Sequence, residues 1–233
     1  MAHRGICSRR QAEELIQKGW VMVKGHPVAI GEKFAPDVAI DLNPQARKWL
    51  QSKITIILNK PLGYVSNLPE KEHKEAKELI TVENFFASGG HPSKTNHPPL
   101  VGLSCAGRLD INSTGLLVMT QDGTIAKKII SPDSRVEKEY LVRIQGIVTE
   151  EKLKQLRYGL TLDGRKLKPA KVQKINKDQL QFILIEGRKR QIRRMCELVE
   201  LEVLALKRVR IGGLKLGHLP KGKWRYLLPD ERI

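Results

Sequence analysis

A single carboxylate on a short turn framed by glycines is the first candidate for chemistry in this sequence. Asp110 stands in GRLDINSTGLLVMTQDG among apolar neighbours, between Gly107 and Gly115. The glycines permit close backbone approach, and the Asn-Ser-Thr stretch after Asp110 offers hydrogen bonds that stabilise a turn. A carboxylate held in this way can act as a nucleophile or a general base, although aspartate is also a common turn and cap residue.

A run of basic residues, EGRKRQIRRMCE, is the second candidate. As a helix over 188–199, this run would place Arg190 with Arg194, and Lys189 with Arg193, on shared faces. The simpler interpretation is a solvated basic helix. The functional interpretation is contact with phosphate groups, with one arginine turned inward against a carboxylate, because an unpaired buried charge is very costly.

An aromatic residue in an alternating strand pattern is the third candidate. Tyr140 lies in VEKEYLVRI, where apolar and polar residues alternate. The simpler interpretation is a tyrosine of the core or of an interface. The alternative is a stacking platform for an unpaired base, a role that aromatic rings take in RNA-binding proteins.

The composition indicates a globular protein with a polyanionic partner. The chain of 233 residues has a formal net charge of +17, and its pI is near 9.9. Nucleic acid is the leading partner because lysine and arginine neutralise its phosphates. An anionic membrane surface is a weaker alternative, since the sequence has no basic amphipathic helix with a broad apolar face.

Cysteine and histidine usage points away from disulfides and metals. Cys7, Cys105 and Cys196 are far apart and form no C-x-x-C pair, which fits a reducing cytoplasm. His91 and His97 flank a polar loop without nearby cysteine or acidic partners, so we expect no metal site. The sequence also contains no signal peptide or membrane-spanning run, and we expect a cytoplasmic protein.

The apolar patterns predict an α+β protein with a mixed sheet rather than a regular βαβ alternation. Near the N-terminus, a helix capped by Ser8 and ended by Gly19 precedes short strands and a helix over 43–53 that bridges to the second part of the chain. The patterns predict further strands near 115–120, 138–146, 179–186 and 203–213. They predict helices near 76–87, 123–130, 149–157 and 188–199, and a loop over 88–99.

Taken in order, GRLDINSTGLLVMTQDG, EKEYLV and EGRKRQIRRM resemble the pseudouridine synthases of the RsuA/RluB/RluE/RluF type, with the RluF and RluB branches nearest. The first of these motifs is highly specific, and the resemblance covers roughly residues 54–228. The stretch GICSRRQAEELIQKGWVMVKGHPVAIGEKF resembles the S4 RNA-binding module that precedes the catalytic domain in this family. The resemblance implies an S4-like module over 1–51 and a catalytic domain over 52–233, which is built on a mixed, largely antiparallel sheet with flanking helices.

The resemblance also implies a reaction and its residues. Within the family, a uridine of ribosomal RNA, here most readily 23S RNA, is converted to pseudouridine. Asp110 matches the catalytic aspartate, Tyr140 the residue that stacks on the uracil, and Arg193 the basic residue that pairs with the aspartate. Leu206 matches the apolar residue that lines the pocket, and Arg108 is expected to contact an RNA phosphate or the flipped nucleotide. The sequence leaves open whether the aspartate adds to the ribose C1′, adds to the base, or removes a proton from the sugar.

The chemistry agrees with these implications. An isomerisation needs neither a redox partner nor a group donor, so we expect no cofactor. A stacked uridine must be flipped out to reach a carboxylate, at a cost of a few kcal/mol. For RNA binding, the expected contacts are five basic side chains: Arg9, Arg10, Lys189, Arg190 and Arg194.

Two features depart from the family pattern. Only Met1–Arg4 precede Gly5, so the S4-like module lacks its usual first helix or is truncated. Residues 68–106 are longer and more polar than expected, which fits a segment that adjusts substrate choice or is simply disordered.

Other functions remain open from the sequence alone. A non-catalytic S4-type RNA-binding or ribosome-assembly protein is the competing class, and 16S RNA, transfer RNA or a precursor particle are alternative substrates. A DNA-binding protein is disfavoured because the sequence has no recognition-helix or zinc-finger pattern. No coiled coil is apparent, so a monomer is expected.

Overall fold

The structure is a computed structural model that describes residues 1–67, 73–87 and 98–233. Its helices are α1 (Arg9–Gln17), α2 (Pro44–Gln51), α3 (Gly123–Ile130), α4 (Glu150–Arg157) and α5 (Gln191–Glu197), with a 3-10 helix at Ala76–Leu79. The strands of the first half are β1 (Val21–Val23), β2 (His26–Pro27), β3 (Asp41–Leu42), β4 (Thr55–Lys60), β5 (Tyr64–Val65), β6 (Lys74–Glu75), β7 (Ser104–Cys105) and β8 (Thr114–Thr120). Those of the second half are β9 (Lys138–Gln145), β10 (Thr161–Leu162), β11 (Arg165–Lys166), β12 (Lys171–Asn176), β13 (Gln179–Leu184), β14 (Glu202–Ile211), β15 (Leu214–Lys215) and β16 (Trp224–Tyr226).

One large sheet organises most of the chain. Its strand order is β12-β13-β9-β14-β8-β4-β16, with β15 paired to β14 and β7 paired to β8. Strands β14 and β8 run parallel, and the other described pairs of this sheet are antiparallel. The prediction of an α+β protein with a mixed, largely antiparallel sheet and flanking helices is therefore confirmed.

Alternation along the strands separates the two faces of this sheet. One face carries two core clusters side by side: the α4–α5 cluster, which includes Leu153, Met195 and Leu206, and the β4–β8 cluster, which includes Leu58, Leu117 and Met119. The opposite face carries the α3 cluster, which includes Ile57, Val118 and Ile129. Tyr140 packs against both clusters of the first face, so it marks the place where they meet.

The N-terminal residues form a small unit of their own elements. Helix α1 begins with a capping box, in which the Ser8 hydroxyl accepts from the Gln11 amide and the Gln11 side chain accepts from the Ser8 amide. Strands β2, β1 and β3 form a three-stranded antiparallel sheet, and Lys24 and Gly25 both have positive φ in the turn between β1 and β2. Gln11 also joins this unit to the large sheet, because its side-chain Nε2 donates to the backbone carbonyl of Gln121, just after β8, at 3.1 Å.

Two predicted helices differ from the observed ones. Arg190 has φ of 52° and sits as the N-cap of α5, so Lys189 and Arg190 precede the helix and the predicted shared faces with Arg193 and Arg194 are wrong. The predicted helix near 76–87 is reduced to the 3-10 turn, and Phe85 pairs with β16 instead. Most of the predicted loop, including His91 and His97, lies outside the described residues. None of the helices in the described parts of the chain has the length and apolar character needed to cross a membrane.

Candidate active site

The carboxylate of Asp110 is the free group of the turn that leads into β8. Asp110 is half-buried, and its side chain forms no hydrogen bond to another described residue and no ion pair within 4.0 Å. Its carbonyl accepts from the Ser113 amide at 3.0 Å, which closes the turn. The backbone is therefore fixed while the side-chain oxygens stay available for chemistry.

A buried serine holds the residue that precedes Asp110. The Ser66 hydroxyl donates to the carbonyl of Leu109 and accepts from its amide, both at 2.8 Å. The carbonyl of Ile111 accepts from the Gly63 amide at 3.0 Å. The segment 63–66, which follows β4, thus anchors the turn on both sides of Asp110. Sequence reasoning missed Ser66, because nothing in its local pattern distinguishes it from a loop serine.

Arg193 supports the same turn, but not in the way predicted. Its Nη2 donates to the carbonyl of Asn112 at 2.8 Å, and its Nη1 donates to the carbonyl of Val203 at 3.0 Å. Its Nε is buried without a hydrogen-bond partner among the described residues. Burial, with help from nearby Arg190, lowers the pKa of Arg193, and the charge of Asp110 opposes that shift. Arg193 therefore acts on Asp110 at a distance, and the predicted direct ion pair is not formed in this structure.

A row of residues crosses the sheet next to the turn. Tyr140 on β9 pairs with Arg208 on β14, Arg208 pairs with Gly115 on β8, and Gly115 pairs with Lys60 on β4. Gly115 has φ of +104°, and a Cβ atom there would lie 2.2 Å from the Arg208 carbonyl oxygen. Only glycine allows β8 and β14 to approach so closely at this point.

Lys60 is fully buried, and its ammonium donates to the carbonyls of Pro61 at 2.9 Å and Tyr64 at 2.8 Å. Burial lowers the pKa of Lys60 to about 8; the charge of Asp110 opposes this shift and that of Arg208 adds to it. The sequence marks Lys60 only as part of a Lys-Pro turn, so its closeness to Asp110 could not be predicted.

The other predicted substrate-binding residues surround the turn. Tyr140 is half-buried beside the β4–β8 cluster, to which Leu109 also belongs. Leu206 is buried in the α4–α5 cluster, and its carbonyl accepts from the hydroxyl of Thr114 at 3.3 Å. The side chain of Arg108 is exposed. The fold thus brings Asp110, Tyr140, Leu206 and Arg193 to one place on the sheet.

The predicted RNA-binding cations divide into two kinds. Arg9 and Arg10 on α1, and Lys189 and Arg190 before α5, are exposed and make no side-chain hydrogen bond to another described residue. Arg194 instead forms a bidentate pair with Asp163, at 2.9 and 2.6 Å. Its guanidinium is therefore already bound within the protein.

Together, the fold and the site place the free carboxylate of Asp110 near the aromatic ring of Tyr140, in a protein whose basic surface suits a polyanion. The chain matches the family model described as RNA pseudouridylate synthase over residues 54–198, and it belongs to that family. The protein is therefore an RNA pseudouridine synthase, an isomerase that converts uridine in RNA to pseudouridine. This confirms the family and the activity predicted from the sequence motifs.

Individual relatives agree with the family match. The chain is 34% identical to the dual-specificity RNA pseudouridine synthase RluF of Escherichia coli (strain K12), over 98% of this chain and 74% of that protein. It is also 34% identical to the ribosomal large subunit pseudouridine synthase B of Bacillus subtilis (strain 168), over 99% of this chain and 91% of that protein. A crystal structure of a pseudouridylate synthase superposes with a TM-score of 0.67 at 26% identity, covering 97% of this chain and 93% of that one.

Proposed function

We propose that this enzyme isomerises a uridine of large-subunit ribosomal RNA and that Asp110 carries the chemistry. The observation that carries this proposal is the unpartnered carboxylate of Asp110 on a turn whose backbone is hydrogen-bonded on both sides. The choice of RNA is supported by the Bacillus subtilis relative, which is named for the large subunit and aligns over 91% of its own length.

The reaction rearranges atoms within one nucleotide. The bond between N1 of uracil and C1′ of ribose breaks, the uracil turns, and C5 bonds to C1′; C5 loses its proton and N1 gains one. The aspartate must reach a nucleotide that has been flipped out of its helix, which costs a few kcal/mol. Stacking on Tyr140 offsets part of that cost, since stacking of a base on an aromatic ring contributes about 1–3 kcal/mol.

The remaining site residues take supporting roles in this proposal. Leu206 forms the apolar wall of the uracil pocket, and Arg108, exposed two residues before Asp110, contacts a phosphate of the flipped nucleotide. Arg193 fixes the far side of the turn through the Asn112 carbonyl.

RNA outside the reacting nucleotide is held by exposed cations. We assign residues 1–51 as an S4-like RNA-binding module and 52–233 as the catalytic domain, and we expect a monomer that acts in the cytoplasm. Arg9, Arg10, Lys189 and Arg190 are free to contact phosphates, whereas Arg194 would first have to leave Asp163. A second RNA substrate is favoured by the dual specificity named for the Escherichia coli relative.

The test uses purified protein and unmodified transcripts of large-subunit RNA, small-subunit RNA and transfer RNA. A carbodiimide marks each pseudouridine, and reverse transcription stops at the mark. We expect a new stop on large-subunit RNA with the wild type, no stop with Asp110→Asn, and an unchanged stop with Asp230→Asn, which makes the same change at an exposed position.

Product formation by Asp110→Asn would remove Asp110 from the chemistry. A stop on small-subunit or transfer RNA alone would correct the substrate and leave the enzyme class intact. Binding of the Asp110→Asn variant to the same RNA, measured by filter retention, should stay within about twofold of the wild type, because Asn keeps the size of the side chain.

A further inference from the structure

We infer that Arg208 is a positioning residue of the active site, which fixes the turn that carries Asp110 without touching RNA. Its Nε donates to the carbonyl of Leu116 at 2.8 Å, and its Nη1 donates to the carbonyl of Arg108 at 3.3 Å. These carbonyls lie on either side of Asp110 in the sequence. One guanidinium therefore ties together the two ends of the segment that presents the catalytic carboxylate, and the inference rests on the role proposed above for Asp110.

The position of Arg208 in the sheet makes this link rigid. Arg208 lies on β14 with Gly115 of β8 on one side and Tyr140 of β9 on the other. It is only 4% exposed. Because β8 and β14 touch at Gly115, the arginine backbone is held at the point where the turn enters the sheet. The guanidinium therefore connects the turn to the centre of the sheet.

Stability alone does not account for an arginine here. Its Nη2 is buried without a hydrogen-bond partner among the described residues, and an unsatisfied buried donor is destabilising. Of the acidic side chains in the described parts of the chain, none lies within 4.0 Å to form an ion pair with it. A costly buried cation next to a catalytic turn is the pattern expected of a group retained for function.

Lys60 strengthens this interpretation. It occupies the equivalent place on the other side of Gly115, on β4, and its ammonium also donates to backbone carbonyls. Arg208 and Lys60 therefore flank Gly115, which lies near the start of β8. The charge of Asp110 also acts on Lys60, so the turn places a negative charge near this buried cation.

The expected consequence is a defect in turnover rather than in substrate affinity. Arg208 is buried beneath the turn and makes no contact that RNA could replace. Without the two hydrogen bonds from the Arg208 guanidinium, Asp110 is displaced relative to the flipped nucleotide. A misplacement of about 1 Å can lower a rate by about 100-fold. We therefore expect kcat to fall while KM stays nearly constant.

The first experiment compares Arg208→Met and Arg208→Ala with the wild type on the RNA that the wild type modifies. Arg208→Met should remain folded, lower kcat by about 100-fold and change KM by less than about threefold. In Arg208→Ala, added ethylguanidinium should restore part of kcat, and ethylammonium should not, because only a guanidinium can bridge both carbonyls. Arg225→Ala is the matched control: this arginine is also buried in the same sheet but pairs with Glu231, and ethylguanidinium should leave its kcat unchanged.

A second readout does not need RNA. Amide hydrogen exchange of a peptide over residues 107–116 should speed up in Arg208→Met, with the other strands of the sheet unaffected. Unchanged kcat, a rise in KM instead of a fall in kcat, or unchanged exchange over 107–116 would overturn the inference. A wild type that modifies no RNA would count against the proposed function alone, because the exchange result still decides the role of Arg208 in holding the turn.

Discussion

Two groups of cations in this protein use the same charge in opposite ways. The interior group, Lys60, Arg193 and Arg208, donates to backbone carbonyls around the Asp110 turn. The exposed group, Arg9, Arg10, Lys189 and Arg190, has no such partners among the described residues. A net charge of +17 indicates a polyanionic partner, but it does not tell which cations meet that partner. For Lys60 and Arg208, strand register makes that distinction, because it places both residues beside Gly115 next to the Asp110 turn.

The largest effect is expected from a substitution at Gly115, where β8 and β14 approach each other closely. In Gly115→Ala, the added methyl would lie 2.2 Å from the Arg208 carbonyl oxygen, and the residue would keep a φ of +104°. We expect the free energy of unfolding to fall by at least about 3 kcal/mol and the activity to be lost, because strain and the clash both act on one strand pair. Urea denaturation with a parallel activity assay measures both.

Gly187→Ala is the control for this substitution. A Cβ atom at Gly187 would meet nothing within 4 Å, and its φ is not in the positive region, so we expect nearly wild-type stability and activity. If Gly115→Ala behaved like Gly187→Ala, the close approach of β8 and β14 would not be needed for the site.

A smaller effect is expected from Lys60, which makes the free energy of unfolding depend on pH. Its pKa of about 8 in the folded state lies below the ordinary lysine value of 10.5, so the folded protein loses this proton first as the pH rises. The unfolded state then binds more protons between about pH 8 and 10.5, and stability due to Lys60 increases over this range. The total gain is on the order of 3 kcal/mol.

Lys60→Met isolates this contribution. The free energies of unfolding of wild type and variant are measured in urea from pH 7 to 10.5. Their difference, wild type minus variant, should stay nearly constant up to about pH 8 and increase above it. Two parallel curves would mean that the ammonium keeps an ordinary pKa inside the fold. Other groups that titrate in this range cancel in the comparison.

The smallest effect on function is expected at the exposed group, because each of its proposed contacts with an RNA phosphate is open to solvent. Arg9→Ala combined with Arg10→Ala should weaken RNA binding and reduce the slope of log K against log salt by about 2, which is about 1 per lost phosphate contact. Lys174→Ala combined with Lys177→Ala removes the same charge from exposed positions near the edge strand β12 and serves as the control. Equal slopes for the two double variants would mean that the N-terminal arginines add only general charge.

Local sequence patterns predicted most of the elements, and the resemblance to the family singled out Asp110, but neither pointed to the residues beneath its turn. Helix α3, for example, has the predicted bounds. Ser66 and Arg208 were missed because they reach the turn through strands from other parts of the chain, and the order of those strands is not written in any local pattern. The start of α5 was misplaced for a different reason: nothing in the basic run predicts that Arg190 adopts a left-handed conformation.

The hydrogen bonds of the Arg208 guanidinium also bear on the order in which the active site forms while the chain is synthesised. It joins β14 to residues that are 92 and 100 positions earlier in the chain. The turn with Asp110 leaves the ribosome well before β14, and β14 must then enter the middle of the sheet, between β9 and β8. Such long-range pairing forms late in folding because closing the intervening loop is entropically costly. We therefore expect the nascent chain to carry Asp110 on an open turn until β14 has been inserted. In the mechanism proposed above, competence for the reaction then arises with the central strand rather than with Asp110 itself.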